Sequence, residues 1–348
     1  MYMLRDLGVE VIVIHGPAGC NFRAARLLEH DNVRVVTSSL DQSSVIFGGE
    51  RVLIEVLEEV GRRFSPSLVG IVGTCCAAII GEDVEKAVTQ ARLPFKAIVV
   101  NCDPYNPENV TGAISALEAA ADARIITPDE VLRQKSLLIA ANKNERTFGT
   151  ASKPYLGTYP GDDRITAAVQ IIRSIEQENP IAIVLNAKKE TSLLYADIPC
   201  AIYEAVEKLD SSAHIFCVAN IDDTVGLPRV RRHAATVWQA FEDQGVRVDH
   251  VTGGPDEYAT TGPLAAELVK AENERWGSVV ICGLPHSVPL WGLPHTISVA
   301  TGSRALYALR ELGYGTVLDE ERAHHSVLGS SGVVESMFGR ALRSQVMR

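Results

Sequence analysis

The chain has 348 residues, 46% of them hydrophobic and 22% charged, with a formal net charge of −10. That balance suits a globular protein long enough for two domains or three, and the negative charge excludes broad nucleic-acid binding because nothing offsets phosphate repulsion. A local basic pocket for an acidic small molecule stays compatible with it.

In chain order, β-branched runs at 9–14, 33–37, 68–72 and 96–100 alternate with segments of helical apolar spacing such as 50–63 and 113–121. After a stretch at 142–163 that lacks a strong period and carries Pro154, Gly157, Pro160 and Gly161, further runs follow at 181–185, 214–218, 246–251, 278–281 and 296–299. Continuous apolar strands alternating with helices predict an α/β fold of two or three Rossmann-like domains built on parallel sheets. The expected division is an N-terminal α/β domain over 1–145, a second α/β region on the substrate side over 146–330, and a helix over 331–348 that packs back. The run at 9–14 is strand length and includes Glu10, so no membrane or secretory segment is expected. Seven cysteines, an odd number spread along the chain, point to a reducing cytoplasm rather than to a disulfide framework.

Two strand ends carry chemistry. After the first run comes His15-Gly16-Pro17-Ala18-Gly19-Cys20, where two glycines allow a sharp turn and the cysteine falls near a helix start. The helix-end dipole there is expected to favour thiolate. A tight turn with an incidental thiol accounts for this motif alone equally well. It is not a Walker loop, since the Gly-Lys-Ser/Thr ending is missing, so no nucleotide site is inferred. After the third run comes Gly73-Thr74-Cys75-Cys76-Ala77-Ala78-Ile79-Ile80-Gly81-Glu82-Asp83. In a parallel sheet these strand ends share one edge, so Cys20 and Cys75 can face one crevice. Soft thiolates are the usual ligands of iron–sulfur clusters. Two cysteines cannot complete a four-thiolate site, whereas a symmetric dimer supplying two from each chain can, with the cluster on its two-fold axis.

The two motifs, with Phe47-Gly48-Gly49-Glu50 between them, resemble the nitrogenase component 1-like family. Within it, Asn186-Ala187-Lys188-Lys189-Glu190-Thr191, Gly226-Leu227-Pro228-Arg229-Val230-Arg231-Arg232 and Val251-Thr252-Gly253-Gly254-Pro255-Asp256-Glu257-Tyr258 resemble the branch that reductively cyclises a nickel tetrapyrrole. The resemblance implies an oxidoreductase with a [4Fe-4S] cluster held by Cys20 and Cys75 at a homodimer interface. It also implies a separate ATP-hydrolysing iron–sulfur reductase as electron donor, so that ATP is used by the partner and not by this chain. A further cluster cysteine that nitrogenase subunits carry upstream of the Gly-Pro-x-Gly-Cys turn has no counterpart before Cys20, and nitrogen reduction is therefore not expected.

A substrate with several carboxylates needs cations. Arg229, Arg231 and Arg232 form the best local cluster and Lys188 and Lys189 a second, with a solvated helix face or surface ion pairs as the alternative for each. His15, His286 and His295, near predicted strand ends or turns, are candidate proton donors, and a hydrogen-bonded structural histidine is the alternative at each. Cys76 can substitute for Cys75, although the family register favours Cys75. Cys102, Cys200, Cys217 and Cys282 adjoin apolar runs and are assigned no chemistry, and Glu82 and Asp83 are read as charging a helix N-terminus. A relative acting on another tetrapyrrole, of the protochlorophyllide type, and a non-catalytic scaffold for cluster assembly are the competing functions.

Overall fold

A computed structural model describes residues 1–105, 108–148, 157–256, 258–272, 275–321 and 323–347. Pro154 in the expected boundary stretch and Glu257 in the last motif above lie outside the described residues. The chain divides into two compact units, one of 1–144 with Leu227–Arg229, the other of 145–226 and 230–348.

The first unit holds a four-stranded sheet. Its strands are β1 (Val11–His15), β2 (Arg34–Thr37), β3 (Leu68–Gly73) and β4 (Lys96–Asn101), all parallel in the order β2-β1-β3-β4. The register sets His15 beside Gly73 and Gly73 beside Asn101, so β1, β3 and β4 end in line. One face packs Val11, Val13, Val69 and Ile71 against Leu53, Leu57 and Val60 of the helix Glu50–Phe64 and against Val84 and Ala87. Leu4, from the opening helix Tyr2–Asp6, lies so close to Gly70 that a β-carbon there would stand 2.8 Å from Leu4 Cδ1. With both faces covered, the strands need no polar alternation.

The second unit holds six strands, β5 (Ile181–Asn186), β6 (Ile215–Ala219), β7 (His250–Val251), β8 (Ser278–Gly283), β9 (Thr296–Ala300) and β10 (Thr316–Asp319). They are all parallel in the order β10-β9-β8-β5-β6-β7. Ile181, Ile183 and Leu185 face one core with Ile198, Phe241, Phe338 and Leu342; Ala182 and Val184 face the other with Phe216, Val269, Leu290 and Leu309. Phe338 and Leu342 come from the C-terminal helix Met337–Val346, anchored in this unit by the two-pronged pair of Arg343 with Asp197, Nη2–Oδ1 2.7 Å and Nη1–Oδ2 3.2 Å. Two expectations need correction. β10, four residues long, has no counterpart among the predicted runs, and only the last two residues of the run at 246–251 pair as a strand.

Candidate metal centre

The turn after β1 is shaped by Gly19, at φ +85°, and Asn21, at φ +55°, both left-handed, so the chain doubles back before the helix Phe22–His30. Cys20 sits in this turn, half-buried, its N–H donating to Pro17 O at 3.3 Å. After β3, the Thr74 hydroxyl accepts from Ala77 N and caps the helix Cys75–Ile79, which leaves Cys75 exposed and Cys76 half-buried. The two turns interlock. Thr74 N–H donates to His15 O at 3.0 Å, and a β-carbon on Gly16 would lie 2.2 Å from Thr74 Oγ1, so no larger residue fits there.

Cys102 stands directly after β4, its N–H donating to Gly73 O at 2.8 Å, and it is exposed. It is thus not the small buried thiol that the adjoining apolar run suggested, but an exposed one on the same sheet edge as Cys20, Cys75 and Cys76. Its position immediately after an apolar strand was the available signal. Burial, followed by the neighbouring Cys75 and Cys76, pushes the Cys20 thiol up, and burial followed by Cys75 does the same to Cys102. The expectation of a dipole-favoured thiolate at Cys20 is thus reversed in the chain alone. A metal held by these cysteines would favour the thiolate, since its charge would offset burial and its binding would release the proton. In kind, the donors fit an iron–sulfur cluster. Among the described residues no three His, Cys, Asp or Glu side chains converge closely enough to hold a metal ion, so one chain does not close the site. Cys200, Cys217 and Cys282 are buried in the second unit, Cys200 pushed up to about 12 by burial, as inert core thiols are.

His15 ends β1 wholly buried, with Nδ1 3.1 Å from Ser38 Oγ and Nε2 3.4 Å from Glu82 Oε2. Glu82 Oε1 accepts from Gly49 N at 2.5 Å. Asp83 does cap the helix Val84–Gln90, accepting from Lys86 N at 3.0 Å, whereas Glu82 turns inward, contrary to expectation. Burial lowers the His15 pKa and Glu82 only partly opposes this. The unfolded chain then takes a proton in the ordinary histidine range that the folded chain refuses, so this stability is present above that range and lost as pH falls through it. Urea unfolding at about pH 7.5 and about pH 5.5 should show a larger acid loss for wild type than for His15→Gln. Equal losses would remove His15 from the account.

Around the cysteine turns the surface is unusually apolar: Phe22 is 67% exposed, Ile46 72%, Phe47 85% and Ile79 68%. Pro17, Leu40, Val45 and Ile46 line a shallow hollow beside them.

In the second unit, Asn220 holds the end of β5 by accepting from Ala187 N at 2.9 Å and donating to Ala187 O at 2.8 Å. Asn186 Nδ2 donates to Ser287 Oγ at 2.7 Å, tying the end of β5 to the turn Pro285–Ser287 after β8. Strand order reverses at β5/β8, the place where open α/β sheets bind ligands. Lys188 reaches this edge with Nζ 5.5 Å from the Tyr258 ring, and no carboxylate pairs with it among the described residues. His286 is exposed on the same turn, its pKa held below the ordinary value by surrounding protein and by Lys188. Lys189 is buried, 3.8 Å from Glu190.

The other candidates go elsewhere. Arg229 Nη2 pairs with Asp31 Oδ1 at 2.7 Å inside the first unit, Arg231 Nε donates to Asp223 O at 2.9 Å, and Arg232 is exposed on the helix Pro228–Asp243. His295 precedes β9, at the opposite edge of the sheet from His286, beside Arg173 and Arg275. The two Pro-His sequences therefore do not share a pocket mouth.

The family model described as nitrogenase component 1 type oxidoreductase matches residues 1–146. Over 99% of its length the chain is 41% identical to the component CfbD of the Ni-sirohydrochlorin a,c-diamide reductive cyclase complex of Methanosarcina acetivorans, covering 93% of that protein. It is 42% identical over its full length to the protein of the same name from Methanothermobacter thermautotrophicus, covering 96% of it. Against that of Methanocaldococcus jannaschii the identity is 38%, over 98% of this chain and 95% of the relative.

Proposed function

The chain belongs to the CfbD family, components of Ni-sirohydrochlorin a,c-diamide reductive cyclase complexes, and from that membership we propose that it is the catalytic subunit that reduces and cyclises this nickel tetrapyrrole. It is an oxidoreductase of the nitrogenase-like type. The proposed reaction is a multi-electron, multi-proton reduction of the ring with closure of a side-chain amide into a lactam. Electrons come from an ATP-hydrolysing iron–sulfur reductase. This chain has no Gly-Lys-Ser/Thr loop of its own, in keeping with that division of labour.

The observation that carries this reading is the thiol rim. Cys20 and Cys75 of each of two chains would hold a [4Fe-4S] cluster on a two-fold axis, which supplies one electron at a time when bound. The exposed Phe22, Ile46, Phe47 and Ile79 in the same unit give a second copy an apolar face to cover, and a patch of this kind rarely stays open to water. Low-potential clusters and seven unpaired thiols suit a reducing cytoplasm. No helix among the described residues is long and apolar enough to cross a membrane.

On the substrate side, Lys188 is the cation best placed to meet a ring carboxylate, with Tyr258 and His286 beside it. Of the three candidate histidines, His286 is the one exposed beside Lys188 on the carboxyl edge of the second sheet, and it is the proposed proton donor. His15 has both ring nitrogens engaged. Lys188→Met should raise KM by about tenfold or more, the worth of a charge-assisted hydrogen bond, while leaving the cluster's spectrum unchanged. An unchanged KM would sink that assignment.

The central test is iron and acid-labile sulfide content with electron paramagnetic resonance on anaerobically prepared protein, together with its mass in solution. About four irons per dimer support the shared cluster. An iron-free protein after reconstitution, or a cluster that survives in a monomer, overturns it.

A further inference from the structure

We propose that His15 and Glu82 form a buried positioning pair that fixes the separation and orientation of the two cysteine turns, an inference that rests on the cluster reading above. The segment bearing Cys75 is short. Its helix Cys75–Ile79 spans little more than one turn and then breaks at Gly81, φ +79°. So short a helix has little rigidity of its own and depends on tertiary ties.

Its two ends are tied to the same residue. At the front, Thr74 N–H donates to the main-chain oxygen of His15. At the back, Glu82, whose N–H returns to Ala77 O at 3.0 Å, places Oε2 3.4 Å from His15 Nε2. The other ring nitrogen of His15 lies 3.1 Å from Ser38 Oγ, and that hydroxyl accepts from Gly16 N at 3.0 Å, at the root of the Cys20 turn. One imidazole thus spans from the base of one cysteine turn to the far end of the other.

The pair also gives a role to Gly49 of Phe47-Gly48-Gly49-Glu50, which the proposed reaction leaves unused. Gly49 N–H supplies the donor to Glu82 Oε1, and a β-carbon at Gly49 would lie 2.5 Å from Leu40 Cδ2 and 3.2 Å from His15 Cε1. The side chains of His15 and Glu82 are 0% and 6% exposed, so neither reaches substrate. Burying such a pair brings little net stability, since desolvation offsets attraction, and a good apolar replacement would do as well for folding alone. What it does fix is direction, as groups behind a metal ligand do.

The test uses the anaerobically reconstituted dimer of wild type, Glu82→Gln and Glu82→Leu. Glutamine keeps an oxygen for Gly49 N–H and an amide that donates to His15 Nε2; leucine keeps neither. Expected are a wild-type paramagnetic spectrum for Glu82→Gln, and for Glu82→Leu altered g-values with iron lost about tenfold or more faster to a chelator. Gly49→Ala, whose β-carbon presses on Leu40 and His15 and strains the N–H bond to Glu82, should move the spectrum in the same direction, and it serves where Glu82→Leu fails to fold. A wild-type spectrum and iron retention in both Glu82→Leu and Gly49→Ala would overturn the proposal, as would equal damage in Glu82→Gln and Glu82→Leu. A wild-type protein with no cluster at all would sink the proposed function, and the pair's role with it.

Discussion

Cys20→Ser and Cys75→Ser should each take the iron of the anaerobic protein from about four atoms per dimer to a small remainder, and turnover with the reductase to background. In the proposed dimer each chain gives two ligands, so a single substitution would remove two of four by symmetry. The same loss is not expected in Cys76→Ser or Cys102→Ser. Cys76 lies one residue on from Cys75 around the helix and is half-buried, and Cys102 occupies the neighbouring strand end. The comparison is demanding because all four thiols stand on the turns after adjacent strands of one sheet. Metal analysis of the four variants decides it. Iron kept in Cys75→Ser and lost in Cys102→Ser would move the ligand set one strand over.

Asp31→Ala should destabilise the first unit by about 3–5 kcal/mol, the cost of removing one partner from a buried ionic cluster. The Asp31 carboxylate is 1% exposed and lies between Arg5 Nη1 at 3.0 Å and Arg229 Nη2 at 2.7 Å. Arg5 keeps a second carboxylate in Asp6 at 2.8 Å, whereas Arg229 Nε is buried without a hydrogen-bond partner even in the intact network. Denaturant unfolding measures the loss, and a change below about 1 kcal/mol would mean that solvent enters and compensates. The same geometry makes Arg229→Met a stability variant: its substrate KM should stay close to wild type, in contrast to Lys188→Met.

Much of this was legible in the amino-acid sequence, for reasons tied to particular elements. The α/β class followed from strands such as Ile181–Asn186 that are buried from end to end, a pattern that solvent-facing sheets do not produce. The shared edge of Cys20 and Cys75 was legible because each stands in the turn after an apolar run, and parallel pairing brings those turns together. β10 escaped because Thr-Val-Leu-Asp is too short to signal anything without its partner β9. The arginine cluster misled for a different reason. Proximity along the chain says nothing about direction, and at a helix start Arg229 and Arg231 point to different partners. Ser38 and the inward turn of Glu82 were not readable at all, because a hydrogen bond across 67 positions leaves no local period.

The pairing order of the sheets sets a timetable for the chain's birth. In the first unit β4 completes the sheet by Asn101, so every strand is available early. In the second, the central β5 begins at Ile181 but its neighbour β8 begins only at Ser278, and β10 closes the edge at Asp319. Non-local pairing of this kind is slow, and chains leaving the ribosome at about 5–20 residues per second fold their leading domain first. The unit that carries Cys20, Cys75, Cys76 and Cys102 thus has its sheet complete, though not yet its Asp31–Arg229 pair, while the other is still being synthesised. Its cysteines must survive that interval reduced and unclaimed.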